Sequence, residues 1–572
     1  MNTSKTRQTV RALVLLVTTT LMIAIGLRAG SESREEPSHL RITQPGGMPG
    51  SAVITGITRG AKGVTVTWEG PAGDYQLLQR LRLTDPQWHP VARTAIKAGN
   101  APRTATVAEA SGAAFFKISG PSPQYAGSQA CLECHSPIAN TVTHTRHSGA
   151  FTSAAFVAQG GQTDASCLPC HTVGYGLPTG FVNELTTPQL ANAQCESCHG
   201  PAALHAANPE DPVTKPRVEI ASTVCGGCHN ASGVPARVAA LHPPRYEEWS
   251  ASPHHAVRDE LKADFTGSLG SAYFIPNCGS CHSGTTRAAL LKNAPLPSGH
   301  EAGAVGIACA TCHDSHQQFV HTNRLNGLQT NLQTGLVISN NQLGRVYTNQ
   351  MRYPLGSLVD SHSTGSFSTH YNPEINVCAQ CHNDRGDSAS TLDFPPHRSS
   401  QYNMLLGTFR KEDTGVPSKQ ASTHALMEKQ CVACHMQTPV GAAGHSFKVQ
   451  SYDLCSNCHV SPELLVQFTT NAVLYQIQRD KAALDFWAVI KAPAALRKYG
   501  AKAWEYANPG SLSGAGPSPS AAEQQWIPEA IRKARFNLYL VFNEGSFGVH
   551  NGPYAADLLS AAYDFVLDEL EE

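Results

Sequence analysis

The hydrophobic pattern near the N-terminus is that of short β-strands. Within residues 50–120, apolar and polar residues alternate most clearly over residues 64–68 (VTVTW), and residues 75–83 and 114–118 are further short candidates. Glycine and proline separate these stretches, as they commonly separate strands. Alternation with a period of two predicts strands that are buried on one face. Because residues 50–120 contain no cysteine, we expect them to form a small module of their own.

The hydrophobic pattern of residues 461–572 is helical instead. Apolar residues recur about every 3.6 positions over residues 464–475, 482–490 and 527–542, which is the period of an amphipathic α-helix. Residues 509–520 are rich in glycine, proline and serine and predict a linker between the second and third helices. This region also lacks cysteine, and we interpret it as a helical cap.

All 18 cysteines lie between these two regions, in nine copies of the motif Cys-x-x-Cys-His. The motif is typical of c-type haem attachment. Its two thiols can form thioethers to the vinyl groups of one haem, and the histidine then provides the proximal nitrogen to the iron. The sequence therefore predicts nine covalently attached c haems. The attachment residues are Cys131, Cys134, Cys167, Cys170, Cys195, Cys198, Cys225, Cys228, Cys278, Cys281, Cys309, Cys312, Cys378, Cys381, Cys431, Cys434, Cys455 and Cys458, and the proximal ligands are His135, His171, His199, His229, His282, His313, His382, His435 and His459.

Zinc ribbons and disulfides explain the cysteines less well. Zinc sites pair Cys-x-x-Cys units but do not require a histidine after each one. A disulfide framework needs an even number of cysteines but no fixed spacing between them. A region of this length that carries nine haems cannot build a large side-chain core. We therefore expect the porphyrins to form the core, surrounded by short helices and loops.

The N-terminus predicts export. Three basic residues precede a mostly apolar run over residues 12–27, and small residues follow at positions 29 and 30. This arrangement is typical of a secretory signal peptide, here residues 1–29, and the run is short for a membrane span of about 20 apolar residues. Residues 30–48 are polar and predict a linker. We therefore expect a periplasmic or extracellular protein, attached to a membrane only if the signal is not cleaved.

The predicted fold is multidomain. It has a small β-sandwich over residues 49–120, a mainly α-helical and irregular nine-haem domain over residues 125–460, and a helical C-terminal cap over residues 461–572. The sandwich resembles a fibronectin type III module, on the evidence of the strand that holds Trp68 and the closing strand AFFKIS. A formal net charge of -1 argues against nucleic acid as a partner, because nucleic-acid binding requires a basic face.

Several segments resemble a superfamily of multihaem cytochromes that includes the nitrifier tetrahaem cytochrome, hydroxylamine oxidoreductase, octahaem reductases and ammonia-forming nitrite reductase. CLPCHTVGYG followed by QCESCHGPAALH is similar to the second and third haem segments of the nitrifier tetrahaem cytochrome. CATCHDSH, PPHRSSQYNML, CVACHM with GHSF, and GVHNGPY are similar to other segments of the superfamily. The resemblance covers residues 125–572. It implies that the sixth haem ligands include His205, His316, His397, His445 and His550.

Four further candidates for the sixth ligand come from the residues themselves. A faint repeat, apolar-x-x-Ser/Thr-x-His, ends at His147 and at His254, and each copy could direct a histidine at a neighbouring haem. His370 and His424 lie shortly before a motif. Nine of the 26 histidines follow a motif, so seventeen remain elsewhere. The remaining candidates for the sixth ligand are His144, His242, His255, His300, His321 and His362.

The sequence leaves three functions open. Bis-histidine haems are suited to electron transfer between redox partners, such as other redox proteins, quinol-linked donors or a terminal acceptor. The alternative is an oxidoreductase for a small nitrogen or sulfur compound, which needs one haem with an open face. The haem of Cys167 and His171 is the first candidate, because its segment resembles a five-coordinate haem. The third function is assembly or surface binding through the β-module, and an oligomer is compatible with all three.

The resemblance does not supply a catalytic site. The nitrite reductases of the superfamily use a Cys-x-x-Cys-Lys haem, and this chain has no such motif. Hydroxylamine oxidoreductase needs a tyrosine crosslinked to its catalytic haem, and no tyrosine here can be assigned to that role. The catalytic residues of an enzyme, if the chain is one, therefore stay unknown, and electron transfer is the function that the sequence favours.

Overall fold

The fold is described from a computed structural model of the chain. The structure describes residues 53–60, 63–69, 75–80, 89–94, 103–107, 115–119, 124–210, 214–218, 220–316, 319–320, 328–330, 337–339, 346–347, 350, 377–417, 422–427, 430–437 and 444–572. The predicted signal peptide (1–29) and the predicted linker (30–48) lie outside the described residues.

The N-terminal module consists of two three-stranded antiparallel sheets, with strand orders β1-β2-β5 and β4-β3-β6. The strands predicted near residues 64–68, 75–83 and 114–118 are confirmed as β2, β3 and β6, whereas the hydrophobic pattern does not indicate the other three. The strands are β1 (Val53–Gly60), β2 (Gly63–Glu69), β3 (Tyr75–Arg80), β4 (His89–Thr94), β5 (Arg103–Val107) and β6 (Phe115–Ser119).

One apolar core joins the two sheets. Val66 and Trp68 of β2 are fully buried, as is Leu77 of β3 in the other sheet. Ala105 of β5 and Phe116 of β6 pack against this cluster. Successive side chains of a strand point to opposite faces. The alternation around Trp68 therefore places one face of β2 in the core.

The region that contains the motifs is mainly short helices and irregular chain, as expected. Its described apolar clusters are small, and the largest of them contains Phe151, Val173 and Phe181. The α-helices are α1 (Gln129–Val142), α2 (Ala154–Ala158), α3 (Leu168–His171), α4 (Cys195–His199), α5 (Ala203–Ala207), α6 (Ser222–Gly226), α7 (Arg245–Ser250), α8 (Asp259–Thr266), α9 (Ile275–His282), α10 (Gly284–Leu291), α11 (Gly299–Ala302), α12 (Cys309–Cys312), α13 (Gln401–Leu406), α14 (Lys411–Thr414) and α15 (Gln430–His435).

Single helical turns of other types and two short ribbons complete this region. β7 (Phe319–Val320) pairs with β10 (Val346–Tyr347), and β8 (Leu328–Thr330) pairs with β9 (Val337–Ser339). The 3₁₀ turns are Arg146–Gly149, Gly161–Thr163, Pro188–Leu190, Ala236–Leu241, Pro253–His255, Thr423–Leu426 and Asp453–Asn457, and Gly270–Phe274 is a π-turn.

The C-terminal region contains three long helices that pack together: α16 (Pro462–Ile490), α17 (Glu529–Glu544) and α18 (Gly552–Glu571). The 3₁₀ turns Arg497–Lys502 and Gln524–Trp526 lie between α16 and α17 in the chain. The helices surround the largest apolar cluster of the described residues. No described helix, α16 included, is both long enough and apolar enough to span a membrane.

Two details of this region differ from the hydrophobic pattern. The helices expected over residues 464–475 and 482–490 are one continuous helix, α16, because the polar segment between them contains no glycine or proline and its Asp480 pairs with Arg479. The pattern does not indicate α18. Residues 509–520 are irregular, as expected.

Candidate functional site

The described motifs adopt compact helical turns. In four of them, including the motif of Cys225 and His229, the backbone N–H of the histidine donates to the carbonyl of the first cysteine at 2.8–2.9 Å. Residues three and four apart lie on the same face of a helix. Both thiols and the imidazole of such a motif therefore face one side of the turn, as attachment to a single haem requires. None of the eighteen cysteines forms a disulfide.

Eight motif histidines lie opposite a histidine from outside the motifs. In every pair the ring centres are 5.9–6.3 Å apart. The pairs are His147–His229, His171–His242, His199–His316, His254–His382, His282–His397, His313–His445, His424–His459 and His435–His550.

This spacing is what two imidazoles on one iron require. With metal–nitrogen bonds of about 2.0 Å, and about 1.1 Å from each nitrogen to its ring centre, two coordinating rings are about 6.2 Å apart. The donor set is also right, because haem irons suited to electron transfer commonly carry histidine nitrogen. The residues present therefore fit haems that are held from both faces.

Hydrogen bonds to the second nitrogen orient many of these rings. Nδ1 faces a backbone carbonyl oxygen at 2.6–3.2 Å in five of them, which are His171, His199, His242, His424 and His435. Nδ1 of His382 lies 3.1 Å from Oε1 of Gln401, and Nδ1 of His397 lies 2.9 Å from Oγ of Ser399. Metal-ligating histidines generally donate their other N–H in this way. The arrangement leaves Nε2 with a lone pair for the metal.

Burial favours the neutral form of several of these imidazoles. It is the largest cause that lowers the pKa of the rings of His229, His254, His282 and His397 to about 4. Nearby arginines and histidines lower some of these values further, as Arg385 does for His282. A ligand must be deprotonated to bind a metal. Neutral rings at physiological pH are therefore in the form that coordinates iron.

The two copies of the faint sequence repeat share one local structure. Thr145 and Ser252 are both extended, and the hydroxyl of each donates to the carbonyl three residues earlier, at 2.8 and 2.7 Å. In both copies a 3₁₀ turn follows at once and holds the histidine, His147 or His254. The repeat thus places each histidine opposite a motif histidine in the same way.

His171 is the motif histidine whose surroundings differ most from the expectation. The ring of Phe156 stacks on it, with ring centres 4.0 Å apart and 15° between the planes. The ring centre of His242 lies 6.3 Å from that of His171. From the sequence, His242 is only one of the remaining candidates for the sixth ligand, because no local pattern separates it from the other unassigned histidines.

His135 is the remaining motif histidine, and it is exposed. In the described part of the chain, it has no imidazole ring opposite it at a comparable distance. Helix α1, which contains His135, packs against α5, which contains His205. Nδ1 of His205 is buried and has no hydrogen-bond partner. A half-buried imidazole on a helix that packs against the helix of His135 fits the role of a ligand to that haem.

Cysteines of different motifs lie next to each other. The thiols come within hydrogen-bonding reach in five pairs: Cys131–Cys195, Cys170–Cys228, Cys225–Cys309, Cys281–Cys381 and Cys378–Cys431. Backbone contacts support this order; the backbone N–H of Cys309 donates to Oγ of Ser222, beside the fourth motif, at 2.9 Å.

Further cysteines interact electrostatically and complete the series. Cys198 acts on Cys225 and Cys228, Cys312 acts on Cys378 and Cys381, and Cys455 acts on Cys434. Numbered in chain order, motifs one, three, four, six, seven, eight and nine then form a line. The second motif joins this line at the fourth, and the fifth joins it at the seventh. All nine attachment sites are therefore connected.

The comparisons with known proteins agree with the motifs. Residues 130–200, which contain the first three motifs, match the family model described as cytochrome c554 and c-prime. The chain is also 30% identical over 90 residues to cytochrome c-554 of Nitrosomonas europaea, a match that covers 14% of this chain and 38% of that protein.

The chain is a multihaem c-type cytochrome related to cytochrome c554. The match spans well under half of that relative's length.

Solved structures similar to this chain are also cytochromes. The outer cell wall cytochrome OcwA has 18% identity and a TM-score of 0.49, over 77% of this chain and 99% of OcwA. An undecahaem cytochrome from the S-layer of Carboxydothermus ferrireducens has 18% identity and a TM-score of 0.45, over 78% and 70% of the two chains. The cytochrome c nitrite reductase of Desulfovibrio desulfuricans has 16% identity and a TM-score of 0.31, over 56% and 70%.

The other candidate histidines of the cytochrome take no part in the described ring pairs. His144 and His300 are exposed. His255 is exposed and its ring contacts that of Trp249 at 5.7 Å. His321, His362 and His370 lie outside the described residues, so His370 stays a prediction. Within the described residues, no group of three or more histidine, cysteine or acidic side chains is arranged to hold a metal ion.

Proposed function

We propose that this cytochrome is an exported nine-haem protein that transfers electrons between redox partners. One observation carries the proposal: eight of the nine motif histidines face a second histidine at the spacing that one iron requires. In each site the two cysteines of the motif anchor the haem, and the two histidines bind its iron from opposite faces. When bound, a haem of this kind accepts and donates single electrons and leaves no iron position open for a substrate.

The ligand set follows from the ring pairs. His147, His254, His316, His397, His424, His445 and His550 serve as sixth ligands, in agreement with the sequence-based prediction. His242 takes this role for the haem of His171, and His205 takes it for the haem of His135. With these nine histidines every motif has a sixth ligand and none is needed from His370.

The order of the attachment sites supports electron transfer along the chain. The seven motifs in line run from the first motif to the ninth, so the first and last sites are the ends of the series. The second and fifth sites are side branches, through which electrons can enter or leave. Cysteines of successive motifs lie near one another, so the successive haem sites are close together, and short separations are what electron transfer needs.

The remaining parts of the proposal concern location and partners. The N-terminal residues 1–29 direct export to the periplasm or the exterior, where c haems are attached. The partners are other redox proteins or quinol-linked donors on one side and a terminal acceptor on the other. The β-module over residues 49–120 resembles a fibronectin type III domain and serves as a spacer or a docking element.

One specific observation supports a second candidate function. An oxidoreductase for a small nitrogen or sulfur compound needs an open haem face, and His242 opposes the site at His171 that the resemblance marked first. The exposed His135, which has no described ring opposite, is the site that this alternative would use. His205 is then the residue whose ligation decides between the two functions.

Low-temperature EPR of the oxidised, purified holo-protein tests the proposal, with haem counted in the same sample. Nine haems per chain that give only low-spin signals are the expected result. A high-spin signal that integrates to one haem would overturn the fully bis-histidine assignment and support the enzyme. The variant His205→Ala should then create a high-spin signal only if His205 is a ligand in the wild-type protein.

A further inference from the structure

The imidazole of His550 has a hydrogen-bond partner unlike those of the other described ligand pairs. Its Nδ1 is hydrogen-bonded to Oε1 of Glu544. Where the structure gives an acceptor at hydrogen-bond distance for another of these rings, that acceptor is neutral: a carbonyl, an amide or a hydroxyl. Asp314 approaches Nδ1 of His316 only to 3.6 Å, and that imidazole is partly exposed.

Glu544 is a buried carboxylate whose side chain contacts the imidazole of His550. Its side chain is fully buried. No lysine or arginine of the described residues forms an ion pair with it. Its second oxygen accepts from the backbone N–H of Ser546 at 3.0 Å and from the hydroxyl of Ser546 at 2.7 Å. Hydrogen bonds to the charged form stabilise a buried carboxylate.

The position of Glu544 is otherwise unfavourable. It is the last residue of α17, and the C-terminus of a helix disfavours a negative charge. Gly545 follows in the left-handed conformation and ends the helix, which turns the chain back toward His550. A residue that breaks local preferences without a structural gain is expected at a functional site.

The neighbouring site provides a neutral comparison. Nδ1 of His382, in the seventh motif, lies 3.1 Å from the amide oxygen of Gln401. The amide nitrogen of Gln401 donates to the backbone carbonyl of Glu544 at 2.9 Å, so the two sites are adjacent through one side chain. Of these two joined sites, one has a neutral amide behind its ligand and the other has a carboxylate.

From this contrast we propose that Glu544 gives the haem of Cys431 and His435 a lower reduction potential than the haem of Cys378 and His382. The proposal rests on the proposed function, because it requires His550 to bind that iron. A carboxylate behind a ligand raises the basicity of the imidazole, which favours the ferric over the ferrous iron. Glu544 acts through His550 and is therefore a positioning residue. It places a low-potential site on the line of motifs, between the seventh site and the ninth.

Potentiometric titration of the full-length holo-protein, followed by its visible spectrum, tests this inference. In Glu544→Gln, one of the nine one-electron transitions should move to a more positive potential. A tenfold change in that haem's reduction equilibrium is a shift of 59 mV for one electron. The same haem should keep a low-spin EPR signal with altered g values.

Glu505→Gln is the matched control. Glu505 is also a buried carboxylate of the C-terminal region, but its described partners are Tyr539 and the backbone N–H of Tyr506 rather than a histidine. The Glu505→Gln variant should therefore leave all nine reduction potentials unchanged. Glu544→Asp, which keeps the charge, should hold the low potential if the glutamine variant does not assemble with nine haems.

Each result decides the question. Unchanged reduction potentials in Glu544→Gln, or equal shifts of all nine transitions, would overturn the inference. If the EPR spectrum of that variant is still entirely low-spin, the bis-histidine assignment is unaffected. A different result would refute the ligation by His550 itself. It is a high-spin EPR signal in the wild-type protein that is lost, together with one haem, in the double variant Cys431→Ala/Cys434→Ala. The two failures are thus distinguishable.

Discussion

The imidazole of His242 lies 6.3 Å from that of His171, with an angle of 67° between the ring planes. His242 is held by the carbonyl of Val238, and His171 is held by the carbonyl of Ala150 and by the stacked ring of Phe156. Both rings are thus held in place by neighbouring groups. The site that the resemblance marks as five-coordinate has a second imidazole at the coordinating distance.

Replacing His242 should open that site. In His242→Ala we expect a high-spin EPR signal that integrates to one haem, because the other ligand pairs are untouched. The reduced variant should also bind carbon monoxide at one haem, whereas the wild-type protein should bind none. The measurement is EPR together with a carbon monoxide difference spectrum, normalised to the haem count.

His255→Ala is the control for this experiment. His255 is an exposed reserve histidine whose described ring contact is with Trp249, so its loss should leave every haem low-spin. A His242→Ala protein with nine haems and no high-spin signal would show that His242 is not the ligand.

The hydroxyls of the repeated turn should stabilise the ligands that follow them. Ser252→Ala removes the bond from Oγ to the carbonyl of Trp249, in a residue that is buried. A hydrogen bond of this kind contributes about 0.5–1.5 kcal/mol to the free energy of unfolding. We expect a loss of that size, measured by denaturant unfolding of the holo-protein and followed by the low-spin Soret band.

Ser250→Ala provides the comparison. Its hydroxyl makes the same type of bond, to the carbonyl of Glu247 at 2.9 Å, but it is less buried than Ser252 and does not open the turn that holds His254. It should change the free energy of unfolding by less than Ser252→Ala does. Equal effects of the two substitutions would mean that the repeated turn has no special part in holding His254.

The sequence predicts the chemistry of this molecule better than its long-range order. The attachment motifs are recognisable because covalent bonds to one haem fix the spacing between the two thiols and the histidine. The strand around Trp68 is recognisable for a similar reason, since alternation directly reflects burial on one face. Both features depend only on residues that are close in sequence.

The sixth ligands depend on contacts between distant segments, and this limits what a sequence can indicate. His147 and His254 share a local pattern, so a turn could be inferred for both. His242 has no such pattern and lies far from His171 in the sequence. Nothing near His424 indicates that its Nδ1 meets the carbonyl of Val549, far along the chain. The same holds for the order in which the motifs contact each other.

Glu196 should be important for the N-terminal end of the haem region. This glutamate of the third motif is buried, and its carboxylate accepts from the backbone N–H groups of Ala126, Gly127 and Ala202 at 2.7–3.1 Å. It joins the chain that enters the first motif to the chain that leaves the third. Hydrogen bonds to a charged group contribute about 1.5–3 kcal/mol.

Glu196→Gln should therefore lower the free energy of unfolding by about 1.5–3 kcal/mol, because an amide has one acceptor oxygen for three N–H donors. The measurement is denaturant unfolding of the holo-protein. Glu133→Gln is the control, since Glu133 lies in the first motif but is exposed. A loss no larger than that of the control would contradict the role assigned to Glu196.

Asp480 should make the stability of the helical cap depend on pH. It is fully buried on α16, and burial raises its pKa to about 8, even though Arg479 pairs with it and lowers the value. In the unfolded chain the pKa of an aspartate is about 3.9. Between these two values the folded protein binds the proton that the unfolded chain has released. Stability contributed by this group is therefore greatest at low pH and is lost as the pH rises toward about 8.

Asp480→Asn removes the titration and so tests its sign. The free energy of unfolding of the wild-type protein, minus that of the variant, should fall from acidic pH until about pH 8, by at most about 1.4 kcal/mol per pH unit, and then stay level. Titrations shared by the two proteins, including those of the haems, cancel in this difference. Leu484→Ala changes a buried residue of the same helix that does not titrate. It should lower the free energy of unfolding by about 2–5 kcal/mol, and this loss should not depend on pH. Parallel pH profiles for wild type and Asp480→Asn would show that the buried carboxylate does not take up a proton on folding.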